Sequence, residues 1–367
     1  MEHGGAERVV LDLARGGKQR GQEVSVWCIE REGDLVNLLR DEGIKVTCLA
    51  KQPGLRLGLM RAMHRELTRL RPDVIHAHQI GCLFYVGPAA VLTRVPAVFY
   101  TEHGTEYDGA VRTQWLARMA GLCADRFVGV SRQTTQMLTS HRIVPREKLE
   151  VVCNGINVDL LSQRHDSSGL RAELGIPQGC PVLGTVGRLA DVKCQHLVLR
   201  ALARIRQEPD LANAHAVLVG DGPERESLTR LAQELGLAEV VHLTGFQEQR
   251  EKYYQLMDVF LLTSRSEAMP LVVLEAWAAG VPVIATAVGG IPEMIAHETT
   301  GVVVPVGDIE AIVTATLRLL RNREEARTMV AAASAEVHSR YSVQTMVEEY
   351  QRKYWNVIES KAGAAVR

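Results

Sequence analysis

The sequence predicts an α/β chain built as two doubly wound domains. Three observations lead there. Short, near-continuous apolar segments recur along the chain and alternate with stretches of helical period, the mark of parallel sheets covered on both faces. The scheme runs twice, once in each half. A length of 367 residues with 46% apolar content is enough for two full cores.

In the first half the apolar segments 24–29, 46–49, 74–76, 97–100, 127–130 and 149–152 read as strands. The stretch 57–70 has the helical period. The second half repeats the pattern with 182–186, 216–219, 240–243, 259–262, 283–285 and 302–304. Between the halves, 162–169 is polar and punctuated like a linker, and 170–174 reads as a short helix ended by Gly175 and Pro177. A last helix starts at Ser342, with Val343, Met346, Val347, Tyr350 and Tyr354 on one face. The expected division is a domain over 1–165, a second over 166–340, and a final helix over 341–367 that docks its apolar stripe elsewhere.

Composition excludes several classes. A net charge of −1 supplies no basic field for nucleic acid. The seven cysteines include no C-x-x-C pair, which fits free thiols in a reducing compartment rather than a disulfide framework or a zinc site. No apolar run reaches the length of a membrane span, and Met1 is followed at once by acidic and glycine residues rather than a signal peptide. A cytoplasmic protein is expected.

In a doubly wound domain, ligands bind at the carboxyl ends of the strands, so the loops there carry the chemistry. The stretch 264–286 is the richest. Pro270 suits the first turn of a helix and Gly280 the residue just past its end. The free N–H groups of that helix suit a phosphate. Glu267 and Glu275 flank it and could accept hydrogen bonds from sugar hydroxyls; the other reading of Ser264 and Glu267, three apart, is a capping box. After the segment 182–186, Gly187 permits a tight turn, and Arg188 and Lys193 place two cations suited to a diphosphate; a solvated basic loop is the alternative. Gly220-Asp221-Gly222-Pro223 only superficially matches a dinucleotide fingerprint, because Arg225 holds the third glycine position, so the loop reads as a wall of a nucleotide pocket. Gly289-Gly290 and Gly4-Gly5 each precede a helix start and suit an anion or an ordinary turn. His103 sits just past a strand, where it could bond a substrate hydroxyl or carbonyl; a loop histidine of no special role is the alternative. His76 and His78 stand two apart like a metal pair, but no third ligand cluster accompanies them and no metal is expected.

Taken together, these residues resemble one family. Glu267 and Glu275 match the E-x7-E motif of retaining, nucleotide-sugar-dependent glycosyltransferases of the family-4 type, whose GT-B fold has two Rossmann-like domains facing a cleft. Gly4-Gly5-Ala6-Glu7, Thr101-Glu102-His103, Val130-Ser131, Asn154-Gly155-Ile156, Gly187-Arg188, Lys193, Gly220 to Pro223, Thr244-Gly245-Phe246 and Gly289 to Glu293 resemble the family's blocks in the family's order.

The resemblance implies roles. Arg188 and Lys193 would bind the donor diphosphate, with Gly187 and Gly220 shaping the site. Glu275 would hold the ribose, and Phe246 and Gln247 would lie by the base. Glu267 would contact the transferred sugar, assisted by backbone groups of Met269, Pro270, Leu271 and Val272. Gly4 and Gly5 would close on the diphosphate, and His103 would meet the sugar or the acceptor. His103, Glu267, Arg188 and Lys193 are thus the expected catalytic set.

The expected donor is a UDP- or GDP-sugar, with no cofactor and no obligatory metal. The acceptor is a glycan, a lipid-linked sugar or a small molecule, in the setting of polysaccharide biosynthesis. A nucleotide-sugar epimerase of the same fold and an inactive sugar-nucleotide-binding subunit are the alternatives. Arg112, Trp115, Arg118 and Met119 lie near one helical face, where similar enzymes meet lipid at the inner membrane; ordinary packing of Trp115 is the favoured reading. Finally, the family has a strand before the glycine pair. Met1-Glu2-His3 is too short for one, and the expectation is a chain that starts late.

Overall fold

The computed structural model describes residues 4–33, 35–104, 107, 110–163 and 166–365. Twelve strands lie among them: β1 (Ser25–Cys28), β2 (Lys45–Cys48), β3 (Val74–His78), β4 (Ala97–Glu102), β5 (Arg126–Gly129), β6 (Leu149–Val151), β7 (Val182–Val186), β8 (His215–Val219), β9 (Val241–Gly245), β10 (Val259–Leu262), β11 (Val283–Thr286) and β12 (Val302–Val304). Each matches an expected strand, and all pair in parallel. The chain divides into two units, Met1–Gly155 with Val343–Arg367, and Ile156–Ser342.

In the second unit the strand order is β9-β8-β7-β10-β11-β12. The chain winds outward one way from β7 through β9, then returns to the other side of β7 with β10. The direction reverses between β7 and β10. Every residue of β7, β8, β10 and β11 is buried, which is why these strands read as near-continuous apolar runs. Leu183, Leu218 and Leu261 meet Val198, Leu202 and Leu319 of the covering helices in the core.

The unit boundary differs from the expected one near 165. The short helix Val158–Ser162 packs on the helix Leu271–Ala278, and the Ile156 N–H donates to the Tyr341 carbonyl at 2.9 Å. Those contacts draw the segment after Gly155 into the second unit. Most of the polar stretch 162–169 therefore lies within that unit rather than between units, with 164 and 165 outside the described residues.

The first unit holds two sheets among the described residues, β1-β2 and β3-β4-β5-β6. Met1 to His3, on which the expectation about an absent strand fell, lie outside the described residues. Helices cover both faces of the larger sheet. Val98, Tyr100 and Phe127 meet Leu83, Val86 and Ala117 on one face. Ala97, Phe99 and Val128 meet Val9 of the helix Gly5–Gln19 and Met346, Tyr350 and Val357 of the helix Val343–Ala365 on the other. The last helix thus docks its stripe on the first unit.

Candidate functional site

A doubly wound sheet opens a crevice where its winding reverses, outside the carboxyl ends of the strands. In the second unit that place is between β7 and β10, and the segments 187–195 and 263–270 border it.

The first segment is held by close backbone approach. Gly220, after β8, has φ +138°. A Cβ there would lie 2.8 Å from the Gly187 carbonyl carbon and nearer still to its oxygen, so only glycine fits. The Leu189 N–H donates to the Asp221 carbonyl at 3.0 Å, and the Glu224 N–H returns to the Leu189 carbonyl at 3.0 Å. The Gly220 N–H donates to the Gly245 carbonyl at 2.8 Å, which carries the wall on to Phe246 and Gln247. Phe246 is exposed, and the Gln247 amide donates to the Thr244 carbonyl at 2.9 Å.

Arg188 projects from this frame. Its carbonyl is fixed by the Gln195 amide at 2.8 Å, while its exposed guanidinium has no hydrogen-bond or ionic partner among the described residues. Lys193 Nζ reaches Glu267 Oε1 at 2.7 Å, and Thr263 Oγ1 donates to the Lys193 carbonyl at 3.0 Å. The two segments are therefore locked together, one cation free and one paired.

Ser264 Oγ donates to the same Glu267 oxygen at 2.6 Å, but the pair caps no helix. The helix spans Leu271–Ala278, and Pro270 is its N-cap rather than a first-turn residue, with no side chain capping it. Leu271 and Val272 thus start a helix whose first N–H groups are left for a ligand. The side chains of Met269, Pro270 and Leu271 are buried, so this segment offers backbone. At the other end the Gly280 N–H bonds the Trp277 carbonyl at 3.1 Å and the Val281 N–H bonds that of Ala276 at 2.9 Å, a Schellman stop with Gly280 at φ +76°. Gly290 spends its N–H on the Ala268 carbonyl at 3.0 Å, so the glycine pair 289–290 braces the loop.

Glu275 faces inward from the helix, only 2% exposed. Arg250 Nε donates to Oε2 at 2.9 Å, Arg250 Nη2 bonds Oε1, and the Tyr254 hydroxyl donates to Oε2 at 2.8 Å. Glu275's charge raises the Arg250 pKa, and burial first, then that same charge, lifts the Tyr254 phenol well above its ordinary value. Sequence reasoning missed both partners. Their i, i+4 spacing was visible, but nothing in it pointed to a carboxylate 25 positions on.

The remaining expected residues lie in the first unit. Gly4 is the N-cap and Gly5 the first residue of the helix Gly5–Gln19. His103 Nε2 and His78 Nδ1 are 2.9 Å apart. His76 bonds the Tyr354 hydroxyl at 2.6 Å and Thr101 Oγ1 at 2.7 Å, a structural tie to the last helix rather than half of a metal pair. Burial lowers His76 to about 3 and His103 to about 4, so both are neutral near pH 7. Glu102 is buried beside His103 and accepts from Tyr100 and Tyr107, each at 2.8 Å. Trp115, expected to pack, is instead 58% exposed.

Comparison with known proteins agrees with this architecture. Residues 3–160 match the model described as Glycosyltransferase Family 4, and residues 166–336 the model described as Glycosyl transferases group 1. A GDP-mannose-dependent alpha-(1-6)-phosphatidylinositol monomannoside mannosyltransferase of Mycolicibacterium smegmatis is 33% identical over 67% of each chain. The N-acetyl-alpha-D-glucosaminyl L-malate synthase of Bacillus anthracis is 29% identical over 83% of this chain and 80% of its own. Anabaena HepE, solved in complex with UDP and with UDP-glucose, shares the GT-B fold with a TM-score of 0.85 at 24% identity over 96% of both chains. With both halves matched in order and the crevice of the second unit built as described, the chain belongs to the glycosyltransferases of the family-4, group-1 type.

Proposed function

We propose that this glycosyltransferase moves a sugar from a nucleotide-diphospho-sugar to a hydroxyl acceptor with retention of anomeric configuration. The observation that carries the reading is the convergence of Arg188, Lys193 and the uncapped start of the helix Leu271–Ala278 on the reversal between β7 and β10. In the reaction the bond from the anomeric carbon to the phosphate oxygen breaks, and a bond from that carbon to the acceptor oxygen forms. Negative charge grows on the leaving diphosphate, where two cations and helix N–H groups stabilise it. The leaving phosphate oxygen takes the acceptor's proton. The acceptor must then approach on the face the phosphate leaves, which gives retention.

Glu267 serves the transferred sugar, and the diphosphate competes with it for Lys193. Glu275 serves the ribose, and Phe246 and Gln247 the base. The solved complexes of Anabaena HepE with UDP and UDP-glucose support a UDP-linked donor, and the name of the GDP-mannose-dependent relative a GDP-linked one. The names of the two relatives support acceptors ranging from a lipid-linked sugar to a small molecule. No observation favours the epimerase reading.

A thermal-shift panel of UDP, GDP and their sugars tests the donor. One of them should stabilise the protein by about 2.7 kcal/mol at a hundredfold excess over its dissociation constant; no shift with any would sink the reading. Arg188 and Lys193 take the role a divalent ion would otherwise fill, so turnover should survive a strong chelator, and loss restored by added divalent ion would contradict it.

A second reading concerns the helix Val111–Gly121 in the first unit. Val111, Trp115, Met119 and the following Leu122 are 71%, 58%, 44% and 73% exposed. Arg112 and Arg118 are exposed beside them. We propose that this face meets an anionic lipid surface, which suits a cytoplasmic enzyme working at the inner membrane face on a lipid-linked acceptor. Among the described residues no helix is long and apolar enough to cross a membrane.

A further inference from the structure

We infer that Arg250 is a positioning residue for donor binding: it holds Glu275 as an oriented acceptor for the ribose hydroxyls and ties the Phe246–Gln247 segment to that carboxylate. The inference rests on the proposed donor site.

Glu275 stands on a helix whose residues Leu271, Val273, Leu274, Ala276, Trp277 and Ala278 are all buried. A lone carboxylate in such a place is costly, and a buried ion pair is a weak source of stability compared with an apolar pair of the same volume. Its presence calls for a use. The carboxylate has about four acceptor positions. Arg250 occupies two, one on each oxygen, and Tyr254 a third on Oε2. One position on Oε1 remains, enough for a ribose hydroxyl.

Without Arg250 the carboxylate would lose the donor on Oε1 and one of two on Oε2, and with them its fixed plane. Burial alone does not achieve this orientation. The bidentate guanidinium fixes the carboxylate plane, and Tyr254 fixes which oxygen is left.

Arg250 also closes the loop that leads from the base side. β9 ends at Gly245, Gln247 bonds back to Thr244, and Arg250 is the N-cap of the helix Glu251–Tyr254 that presents Tyr254. One ion pair therefore anchors both the 246–250 segment and the carboxylate beneath it. Nothing in the sequence spacing links the two, since they approach only when β9 and the helix after β10 are folded.

Calorimetry with UDP, GDP and the dideoxyribose counterpart of each tests this on the full chain. The wild type should prefer the ribose form by about tenfold or more, the worth of a hydrogen bond to a charged group. Arg250→Ala should abolish most of that preference. A merely structural role would weaken both forms equally and leave the preference unchanged. Should Arg250→Ala fail to melt cooperatively, Arg250→Lys keeps the charge while losing the fork, and should reduce the preference several-fold. A folded variant with the wild-type preference overturns the inference alone. A wild type that binds both forms equally overturns the ribose role of Glu275 and the inference with it.

Discussion

Gly220→Ala isolates the backbone contact that places Arg188. A Cβ at this position would lie 2.8 Å from the Gly187 carbonyl carbon and closer to its oxygen, while real Cβ contacts essentially never fall below 3.0 Å. Both neighbours are backbone, so no side chain can yield. The 187 turn must move by something on the order of 1 Å, and a misplacement of that size near reacting groups costs about a hundredfold in rate. The φ of +138° adds strain of about 1–3 kcal/mol. Gly236→Ala is the control. It too has a positive φ, +69°, but open space around it, and should cost about 1–2 kcal/mol of stability with no effect on the site. The assay is paired: melting temperature, and calorimetric affinity for whichever nucleoside diphosphate binds. Gly220→Ala should lose at least tenfold in affinity while Gly236→Ala loses none. Equal affinity in the two variants would refute the reasoning, because it would mean that the 187 turn does not position the diphosphate.

Arg188→Ala removes an unpaired cation, so no internal contact is lost. It should leave the melting temperature unchanged and weaken nucleoside diphosphate binding by at least tenfold, a charge-assisted contact of about 1.5–3 kcal/mol; unchanged affinity would place the donor elsewhere. His76 and His103 have folded pKa values of about 3 and about 4, both below the ordinary 6.5. The unfolded chain therefore binds protons first as pH falls, and stability should decline below pH 6.5 by about 1.4 kcal/mol per unit for each group until its folded pKa is reached. Melting temperatures between pH 6.5 and 5 check this, and a decline undiminished in His76→Asn would assign it to other groups. Flotation with anionic liposomes at low salt should retain the wild type and release Trp115→Ser; equal retention of both would remove the helix Val111–Gly121 from the interface.

The strands β4, β7, β8, β10 and β11 were the most legible because both faces of each are buried, so runs such as Val259–Leu262 are apolar throughout. The glycines of the 187 and 220 turns were legible too: a Cβ at 220 would strike the Gly187 backbone, and Gly187 itself has φ +151°. The cations Arg188 and Lys193 were expected at the site from their place after a strand. What the sequence hid was pairing across distance: Lys193 with Glu267, and Arg250 and Tyr254 with Glu275. Such contacts are set by the winding order of the sheet, which no local pattern records. The boundary was misplaced for a similar reason. Polarity around 162–169 resembled a linker, whereas the helix Val158–Ser162 finds its apolar partner more than a hundred residues later, in Leu271–Ala278.

The second unit interrupts the first, and this orders events on the ribosome. Ala97, Phe99, Val128 and Val152 are in place once β6 has emerged, yet Met346, Tyr350 and Val357 close over them only after the whole of Ile156–Ser342 has been made. At about 5–20 residues per second, the synthesis of that insertion takes roughly 10–40 s. For that time an aromatic and aliphatic sheet face has Val9 over it but lacks the rest of its cover, with His76 and Thr101 lacking the hydroxyls of Tyr354 and Tyr350. The first unit to begin is therefore the last to be finished.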